Sequence, residues 1–331
     1  MINKIHFGKR IASLRRKANY SQSELADILN ITPQAVSKWE CGATLPDIDL
    51  LLQLSHIYGV SINQMLEDND LVFELTGKPT SKDGITYFLT EEDPDFCRSW
   101  AKEMVAKKWI KRNWENAYSC DLSDDAHKHS YGHEIVKTII DHGGTILEIG
   151  AGPGGGFVPY ILKADPEATI IISDLVPTVL REWKAFLDKE LDSPNLYYAS
   201  FDFCNMPFAD CSIDIISDDG GIGNAIGDKA KALKEAYRVL KPGGILVTST
   251  GFVSKETLAE LPKNVQQILS EKRPDIFEDL YEDTVLAGFN KIDSVISGHW
   301  FTDGDESGIA DLARALGVNL KFTGYVRYCT K

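Results

Sequence analysis

Residues 145–156, TILEIGAGPGGG, decide the fold of the larger part of this chain. The apolar run at 145–149 predicts a short buried strand, and five glycines follow it within seven residues. From Phe157 to about Lys163 the pattern becomes helical. A strand, a glycine-rich turn and a helix in this order let a ligand lie against bare backbone, beside the unpaired N–H groups of the helix start.

A carboxylate follows the next predicted strand. Residues 169–173 form that strand in our prediction, and Asp174 ends it, about 20 residues after the glycine loop. A carboxylate there can bind both hydroxyls of an adenosine ribose. The spacing Gly150-x-Gly152-x-x-Gly155 also satisfies the dinucleotide fingerprint of nicotinamide enzymes, so the loop alone leaves both kinds of nucleotide open.

Length and composition exclude several classes of protein. The chain has 331 residues, which predicts two domains at about 100–200 residues each. Its 43% hydrophobic and 25% charged residues exclude wholesale disorder and a fibre. We find neither an apolar run of membrane-spanning length nor a secretory signal in the first residues, so we expect a cytoplasmic protein. The six cysteines form no C-x-x-C pair, which argues against a zinc ribbon or a thioredoxin-type centre.

The net charge of −14 is unevenly distributed. Residues 1–67 contain seven Lys and Arg and six Asp and Glu, whereas residues 68–331 contain 28 and 43 and carry a balance of −15. The acidic part has no electrostatic reason to bind nucleic acid. The nearly neutral head can bind it through a locally basic face.

The head carries the signals of two short consecutive helices. Ser21 and Glu24 form a capping box that starts one helix, and Thr32 followed by Pro33 starts the next. Only residues 30–32 separate the two helices. Helices joined this tightly cross at a steep angle, which is the helix-turn-helix geometry.

The run LRRKANYSQSELADILNITPQAVSKWECGATLPDIDLLLQLSHIYGVSINQML, residues 14–66, resembles the phage-repressor (Xre/Cro-like) helix-turn-helix family. The resemblance implies DNA binding and a homodimer, because such heads usually read two-fold sites. It also implies an internal ion pair between Arg15 and Glu40. One departure is Pro33, which stands where the family often reads a base and which cannot donate a hydrogen bond. The DNA-binding residues that the resemblance implies are Gln22, Gln34, Ser37 and Lys38.

Residues 68–94 are charged and turn-rich, so we expect a linker there that is partly flexible. Residues 95–140 contain aromatics at irregular helical spacing and predict a helical connector that caps the large domain. Within it, Tyr131 or His133 can help to cover the ligand site, because they immediately precede the glycine loop.

The same connector holds a cluster of potential metal ligands. His127 and His129 stand two residues apart and would lie on different sides of a helix, which disfavours a chelate, so we expect no metal. The other members are Cys120, Asp121, Asp124, Asp125 and His133.

The segments LEIGAGPGGG, the strand ending at Asp174, SFDFCNMPFADCSIDII and EAYRVLKPGGILV together resemble the successive signatures of class I S-adenosylmethionine-dependent methyltransferases. The resemblance covers about residues 140–253, and the closing LKFTGYVRYCTK resembles the family's reversed strand pair. It implies a Rossmann-like three-layer α/β domain with a mostly parallel seven-stranded sheet. S-adenosylmethionine is the implied cofactor.

The resemblance implies a role for each matching residue. Asp174 would bind the ribose, with Leu175 beside the adenine. Asp202 would accept a hydrogen bond from the adenine amino group, with the Phe203 backbone at the adjacent ring nitrogen. We also assign Asp218 to the cofactor site. The residues assigned to the methionine side of the cofactor are Glu148, Gly150, Gly152 and Gly154.

The sequence says less about the chemical class of the methyl acceptor than about the cofactor. The amino-group DNA methyltransferase signature, D/N/S-P-P-aromatic, is missing from the end of the strand at 213–217, as is the Pro-Cys nucleophile of cytosine-5 enzymes. With the acidic charge, this favours a small-molecule acceptor. If the transfer needs a base, Asp219, Asp218 and His299 are the candidates.

The chain therefore predicts an all-α helix-turn-helix domain at 1–67, a linker at 68–94, a helical connector at 95–140 and a class I methyltransferase-like α/β domain at 141–331. The leading function is a DNA-binding regulator joined to a methyltransferase. Two alternatives stay open: a repressor that senses S-adenosylmethionine or a metabolite without turnover, and a nicotinamide oxidoreductase fused to the head.

Overall fold

A computed structural model describes residues 4–18, 20–60, 62–66, 77–117, 131–191, 195–224, 228–304 and 308–331 of the chain. The predicted ligands Cys120, Asp121, Asp124, Asp125, His127 and His129 lie outside these residues, as does the start of the predicted linker. Among the described residues, no helix combines the length and the apolar character needed to cross a bilayer.

The head is a bundle of five helices: α1 (Lys4–Lys17), α2 (Gln22–Leu29), α3 (Pro33–Glu40), α4 (Ile48–Tyr58) and α5 (Ile62–Leu66). The capping box at α2 is present, since the Glu24 amide donates to Ser21 Oγ and the Ser21 amide donates to Glu24 Oε2. Thr32 caps α3 by accepting from the Ala35 amide. The core of the bundle consists of Phe7, Ile11, Leu25, Ala26, Leu29, Val36, Trp39, Leu51, Leu54 and Met65.

Part of the predicted linker is ordered as a hairpin. Strands β1 (Thr80–Lys82) and β2 (Ile85–Tyr87) pair antiparallel around Asp83 and Gly84, which both have positive φ, as a two-residue turn of this kind requires. Ile85, Thr86 and Tyr87 are buried because β2 pairs with a strand more than 100 residues later. The connector continues as α6 (Arg98–Ala106), α7 (Trp109–Asn116) and α8 (Tyr131–His142).

The large domain adds seven strands to this hairpin. They are β3 (Thr145–Glu148), β4 (Thr169–Asp174), β5 (Leu196–Ser200), β6 (Ile213–Asp219), β7 (Leu240–Phe252), β8 (Lys291–Phe301) and β9 (Lys321–Thr330). The order is β1-β2-β5-β4-β3-β6-β7-β9-β8, with β2 through β7 parallel and β1, β8 and β9 antiparallel to their neighbours. The predicted, mostly parallel sheet is confirmed, but the described residues form nine strands rather than seven because the hairpin extends one edge.

Helices cover both faces of the sheet. The helices are α9 (Val158–Ala164), α10 (Pro177–Glu190), α11 (Lys229–Val239), α12 (Lys255–Glu260), α13 (Lys263–Lys272), α14 (Tyr281–Ala287) and α15 (Gly308–Leu316). Short 3-10 turns lie at Phe203–Asn205, Pro274–Phe277 and Thr302–Gly304. One apolar cluster joins α6 through α10 to the sheet, and a second joins α11 and α14 to the other face. This arrangement confirms the three-layer α/β architecture.

A third, smaller apolar cluster lies apart from these two. It forms where the segment between β7 and β8 packs against α15 and the start of β9. Its buried members are Val253, Val265, Leu269, Ile276, Ile309, Ala313, Leu320 and Phe322. The cluster builds a cap beside the carboxyl end of β7, the edge of an open α/β sheet where ligands usually bind.

Candidate functional site

The glycine loop after β3 is held in place by hydrogen bonds from three directions. The Gly152 amide donates to Asp174 Oδ2 at 2.7 Å, and the Gly152 carbonyl accepts from Trp183 Nε1 at 2.8 Å. From the connector, Asn113 Nδ2 donates to the Pro153 carbonyl at 2.8 Å. The loop backbone is therefore fixed before any ligand arrives, which lowers the entropic cost of binding.

Glu148 lies beneath this loop rather than in it. Its side chain is fully buried, and Oε2 accepts from Ser217 Oγ and from the Phe157 amide. Oε1 has no hydrogen-bond partner among the described residues, and it lies 1.7 Å from where a Cβ on Gly156 would be. Burial raises the pKa of Glu148 well above its ordinary value, against the hydrogen bonds that Ser217 and Phe157 donate to it.

Asp174 stands at the carboxyl end of β4, beside the loop. It is 8% exposed, and its Oδ1 accepts from the Val176 amide at 2.8 Å while Oδ2 accepts from Gly152. Burial raises the pKa of Asp174 to about 6, against the opposing effect of the two amide donors. The carboxylate keeps lone pairs for a ligand because each oxygen can accept more than one hydrogen bond.

A cavity of about 730 Å³, which we call the cofactor cavity, opens over the glycine loop. The predicted residues that line it are Gly150, Gly152, Gly154, Asp174, Leu175, Asp202, Phe203 and Asp219. Two predicted cofactor residues, Glu148 and Asp218, do not line it, because both side chains are buried below the cavity floor.

Its cover differs from the one we expected. Phe96 and Trp100, at the start of the connector, line the cofactor cavity. His133 is 2% exposed and does not line it, and the side chain of Tyr131 lies outside the described residues. The sequence did carry aromatics at 95–119, but their spacing is equally typical of a core.

The charge of the cofactor cavity distinguishes between the two nucleotides that the loop allowed. Among its described lining residues are Asp174, Asp202 and Asp219 but no Lys or Arg. Three carboxyl groups disfavour a pyrophosphate, whereas hydroxyl and amine groups can donate to them. The residues present thus fit a nucleoside without phosphates, as S-adenosylmethionine is.

Two consecutive aspartates end β6, and they have different surroundings. Asp218 is fully buried, with Oδ2 accepting from Thr248 Oγ1 at 2.6 Å and Oδ1 from the Ile222 amide at 3.0 Å. Burial raises its pKa to about 7. Asp219 is exposed to the cavity, and desolvation raises its pKa against a hydrogen bond to Ser249. Asp218 therefore shapes the turn, and Asp219 is the carboxyl that a ligand can reach.

A second cavity of about 420 Å³ adjoins the first. The two share Asp219, Gly220 and Asn224. The cap and the ends of β7, β8 and β9 form its other walls, and the sequence did not predict it. His299 does not line it, since its ring contacts Thr323 Oγ1 at 3.0 Å, whereas the neighbouring Trp300 does.

The head presents three of its four predicted DNA contacts on one helix. Gln34, Ser37 and Lys38 are exposed on α3. Gln22 differs, because its Nε2 donates to Glu40 Oε2 at 2.7 Å. Arg15 binds the same carboxylate at 2.6 and 3.1 Å, as the resemblance implied. The Gln22 side-chain amide thus helps to orient Glu40, so fewer of its hydrogen-bonding groups are available to DNA than we expected.

Two family models match the chain in separate regions: a helix-turn-helix model at residues 11–64 and a methyltransferase-domain model at residues 147–248. The chain is 41% identical over 69 residues to the SPbeta prophage-derived HTH-type transcriptional regulator YonR of Bacillus subtilis, covering 21% of this chain and 64% of YonR. It is 29% identical over 126 residues to the ubiquinone/menaquinone biosynthesis C-methyltransferase UbiE of a Marinomonas strain, covering 38% of this chain and 50% of UbiE.

Among solved structures, the chain is similar to phosphoethanolamine N-methyltransferase 2 of Haemonchus contortus, with a TM-score of 0.48, 19% identity and 73% of this chain and 60% of that chain covered. The alignments to YonR and UbiE leave a third to a half of each relative unmatched. The two family matches confirm the predicted pair of domains, a helix-turn-helix domain followed by a methyltransferase domain. The chain joins a helix-turn-helix domain of the Xre-like type to a methyltransferase domain of the class I fold.

Proposed function

We propose that the large domain transfers a methyl group from S-adenosylmethionine to a small molecule, and that the head binds DNA. The observation that carries this proposal is that the cofactor cavity meets the second cavity, which we call the acceptor cavity, at Asp219, Gly220 and Asn224. A domain that only sensed the cofactor would not require a second cavity at the point where the methyl group would be delivered.

The cofactor supplies an electrophilic methyl group on a sulfonium centre. Asp174 would accept from the two ribose hydroxyls, and Leu175 and Phe203 would flank the adenine. Asp202 already accepts from the Cys204 amide through Oδ1 and would take the adenine amino group on its remaining lone pairs. The loop glycines 150, 152 and 154 would carry the methionine part on bare backbone. Glu148 and Asp218 would position the loop and the β6 turn without touching the cofactor.

Asp219 is the titratable side chain among the described residues that line both cavities. Its exposed carboxylate would accept the proton that the acceptor's nucleophile loses as the methyl group arrives. The shared boundary of the two cavities would align nucleophile and methyl group, which is the main requirement for an in-line transfer. The balance of −15 over residues 68–331 supports a small-molecule acceptor rather than a nucleic acid.

The head would read DNA through Gln34, Ser37 and Lys38, with Gln22 limited to a supporting contact. A homodimer would present two such heads to a two-fold site. Strand β8 ends the sheet and exposes Val295 and Ile296, so its open edge is a surface on which the same strand of a second copy can pair. Sedimentation of the full chain tests this point, and a monomer both free and on DNA would contradict it.

The domain boundaries are proposals too. We keep the head at residues 1–67. We extend the large domain, which we predicted at 141–331 behind a connector at 95–140, back to the hairpin at 80–87, because β2 belongs to the sheet. A DNA partner is consistent with the expected cytoplasmic location.

The test is to incubate the full chain with S-adenosylmethionine labelled on the methyl group and with a bacterial extract, and then to separate small molecules, protein and DNA. We expect label in the small-molecule fraction, and much less with Asp174→Ala. Label in the DNA or protein fraction would contradict the proposed acceptor. No label anywhere, with cofactor binding intact, would refute methyl transfer and favour a cofactor-sensing repressor.

A further inference from the structure

Trp300 forms an aromatic wall of the acceptor cavity. Its indole stacks on Phe322 of the neighbouring strand, with ring centroids 5.5 Å apart and planes 9° apart. Although one face of the indole is stacked, the side chain remains 43% exposed. A large aromatic surface of this kind in a concave site is available for a ligand to stack on.

Two glycines make room for this indole. Gly251 of β7 and Gly324 of β9 are paired across the sheet, and a Cβ on either would come within 2.1 and 2.7 Å of the Trp300 ring, respectively. Glycine weakens the interior of a strand, so two facing glycines mark a place where another group approaches the backbone too closely for a side chain to fit. Here the approaching group is the benzo edge of the Trp300 indole, which lies over both glycines.

The charged side chains of the described lining lie at the boundary with the cofactor cavity and in the cap, while Ser249, Thr250 and Ser297 add hydroxyl groups from the strands. Asp219 and Asn224 stand at the shared boundary. The one described cation in the lining, Arg273, is bound by Asp275 through Nε at 2.9 Å and Nη2 at 2.7 Å. Because this pair largely neutralises itself, the lining holds no uncompensated positive charge that would select an acidic acceptor.

We propose that the methyl acceptor is a planar aromatic compound that carries a hydroxyl or amino group. This inference rests on the proposed methyl transfer. The ring stacks on the exposed indole of Trp300, and the hydroxyl or amino group points to Asp219. The oxygen or nitrogen lone pair forms the new bond to the methyl group, the methyl–sulfur bond breaks, and its electron pair stays on sulfur as a neutral thioether. The proton of the nucleophile passes to the Asp219 carboxylate.

The test compares aromatic compounds with their saturated counterparts as ligands of the full chain in the presence of saturating S-adenosylhomocysteine. The pairs are phenol and cyclohexanol, catechol and cyclohexane-1,2-diol, aniline and cyclohexylamine, and 2-naphthol and decahydro-2-naphthol. Affinities are measured by ligand-observed NMR. We expect at least one aromatic member to bind fivefold or more tightly than its partner, and Trp300→Ala to abolish that preference.

Phe301→Ala is the matched control, because Phe301 is the neighbouring exposed aromatic on β8 and does not line the cavity. It should retain the preference. If no aromatic compound binds more tightly than its saturated partner, or if Trp300→Ala leaves the preference intact, the inference is overturned. If one of these two results is obtained while S-adenosylhomocysteine binds, only the aromatic acceptor is refuted and the cofactor assignment is retained. If S-adenosylhomocysteine does not bind, the proposed function itself is refuted.

Discussion

Replacing Asp174 by Ala should weaken the binding of S-adenosylmethionine by at least tenfold. The side chain is almost fully buried at the end of β4, and it would be the acceptor for two ribose hydroxyls. A hydrogen bond to a charged group contributes about 1.5–3 kcal/mol, and about 1.4 kcal/mol corresponds to tenfold in affinity. Losing one such bond therefore costs about tenfold, and losing both costs about a hundredfold or more.

The variant also removes the acceptor of the Gly152 amide, so the loop itself can loosen. Calorimetric titration of the full chain should therefore be paired with thermal denaturation in the absence of cofactor. Asp188→Ala, which removes an exposed carboxylate on α10 outside the cavity lining, is the control and should bind as the parent does.

The pKa of Asp174 supplies a second, independent readout. With a pKa of about 6, only about one tenth of the side chains are ionised at pH 5, so affinity should fall up to about tenfold between pH 7 and pH 5. The Asp174→Asn variant should lose most of this pH dependence. Unchanged affinity in the Ala variant, together with an equal pH profile in the Asn variant, would refute the ribose assignment.

Three further changes test separate parts of the account. Gly156→Ala should destabilise the chain by a few kcal/mol, of which about 1–2 kcal/mol comes from the positive φ and the rest from the clash with Glu148. The control Gly154→Ala places a Cβ that meets no atom within 4 Å, so it should shift the free energy of unfolding by less than about 0.5 kcal/mol. Equal melting temperatures of the two variants would contradict this. Burial raises the pKa of Asp218 from 3.8 to about 7, so the folded chain loses stability as the pH rises from about 4 to 7. In denaturant titrations, Asp218→Asn should therefore stabilise the chain by about 3 kcal/mol more at pH 8 than at pH 5, which is two pH units at about 1.4 kcal/mol each. A stability difference between variant and parent that does not change with pH would be the contrary result. Replacing Gln34 and Lys38 together by Ala should abolish sequence preference in a DNA-binding selection without lowering the melting temperature, and a retained preference would place the readout elsewhere.

The helix starts of the head were predictable because their causes are local. Ser21 and Glu24 bond each other across three residues, and Thr32 caps the helix that Pro33 begins. The hairpin at 80–87 was not predicted, although Asp83 and Gly84 carry the signal of a tight turn. Its strands have three residues each, too few to show an alternating pattern, and the burial of β2 depends on a partner more than 100 residues away.

The same distinction separates the predictable from the unpredictable parts of the site. The glycine loop and Asp174 follow directly from consecutive residues, and they meet in the structure. Glu148 occupies the right position in the motif, but the alternation of β3 directs its side chain below the loop. Trp100 lies on α6 in the connector and Trp300 lies on β8, 200 residues later in the chain. Only the folded structure brings them to neighbouring cavities.

A calorimetric titration of the full chain with S-adenosylmethionine and, separately, with NAD⁺ tests which nucleotide the glycine loop binds. We expect saturable binding of one S-adenosylmethionine per chain and no heat from NAD⁺, because three carboxyl groups and no described Lys or Arg line the cofactor cavity. Binding of NAD⁺ with S-adenosylmethionine unable to compete, or no binding of S-adenosylmethionine at all, would contradict this expectation.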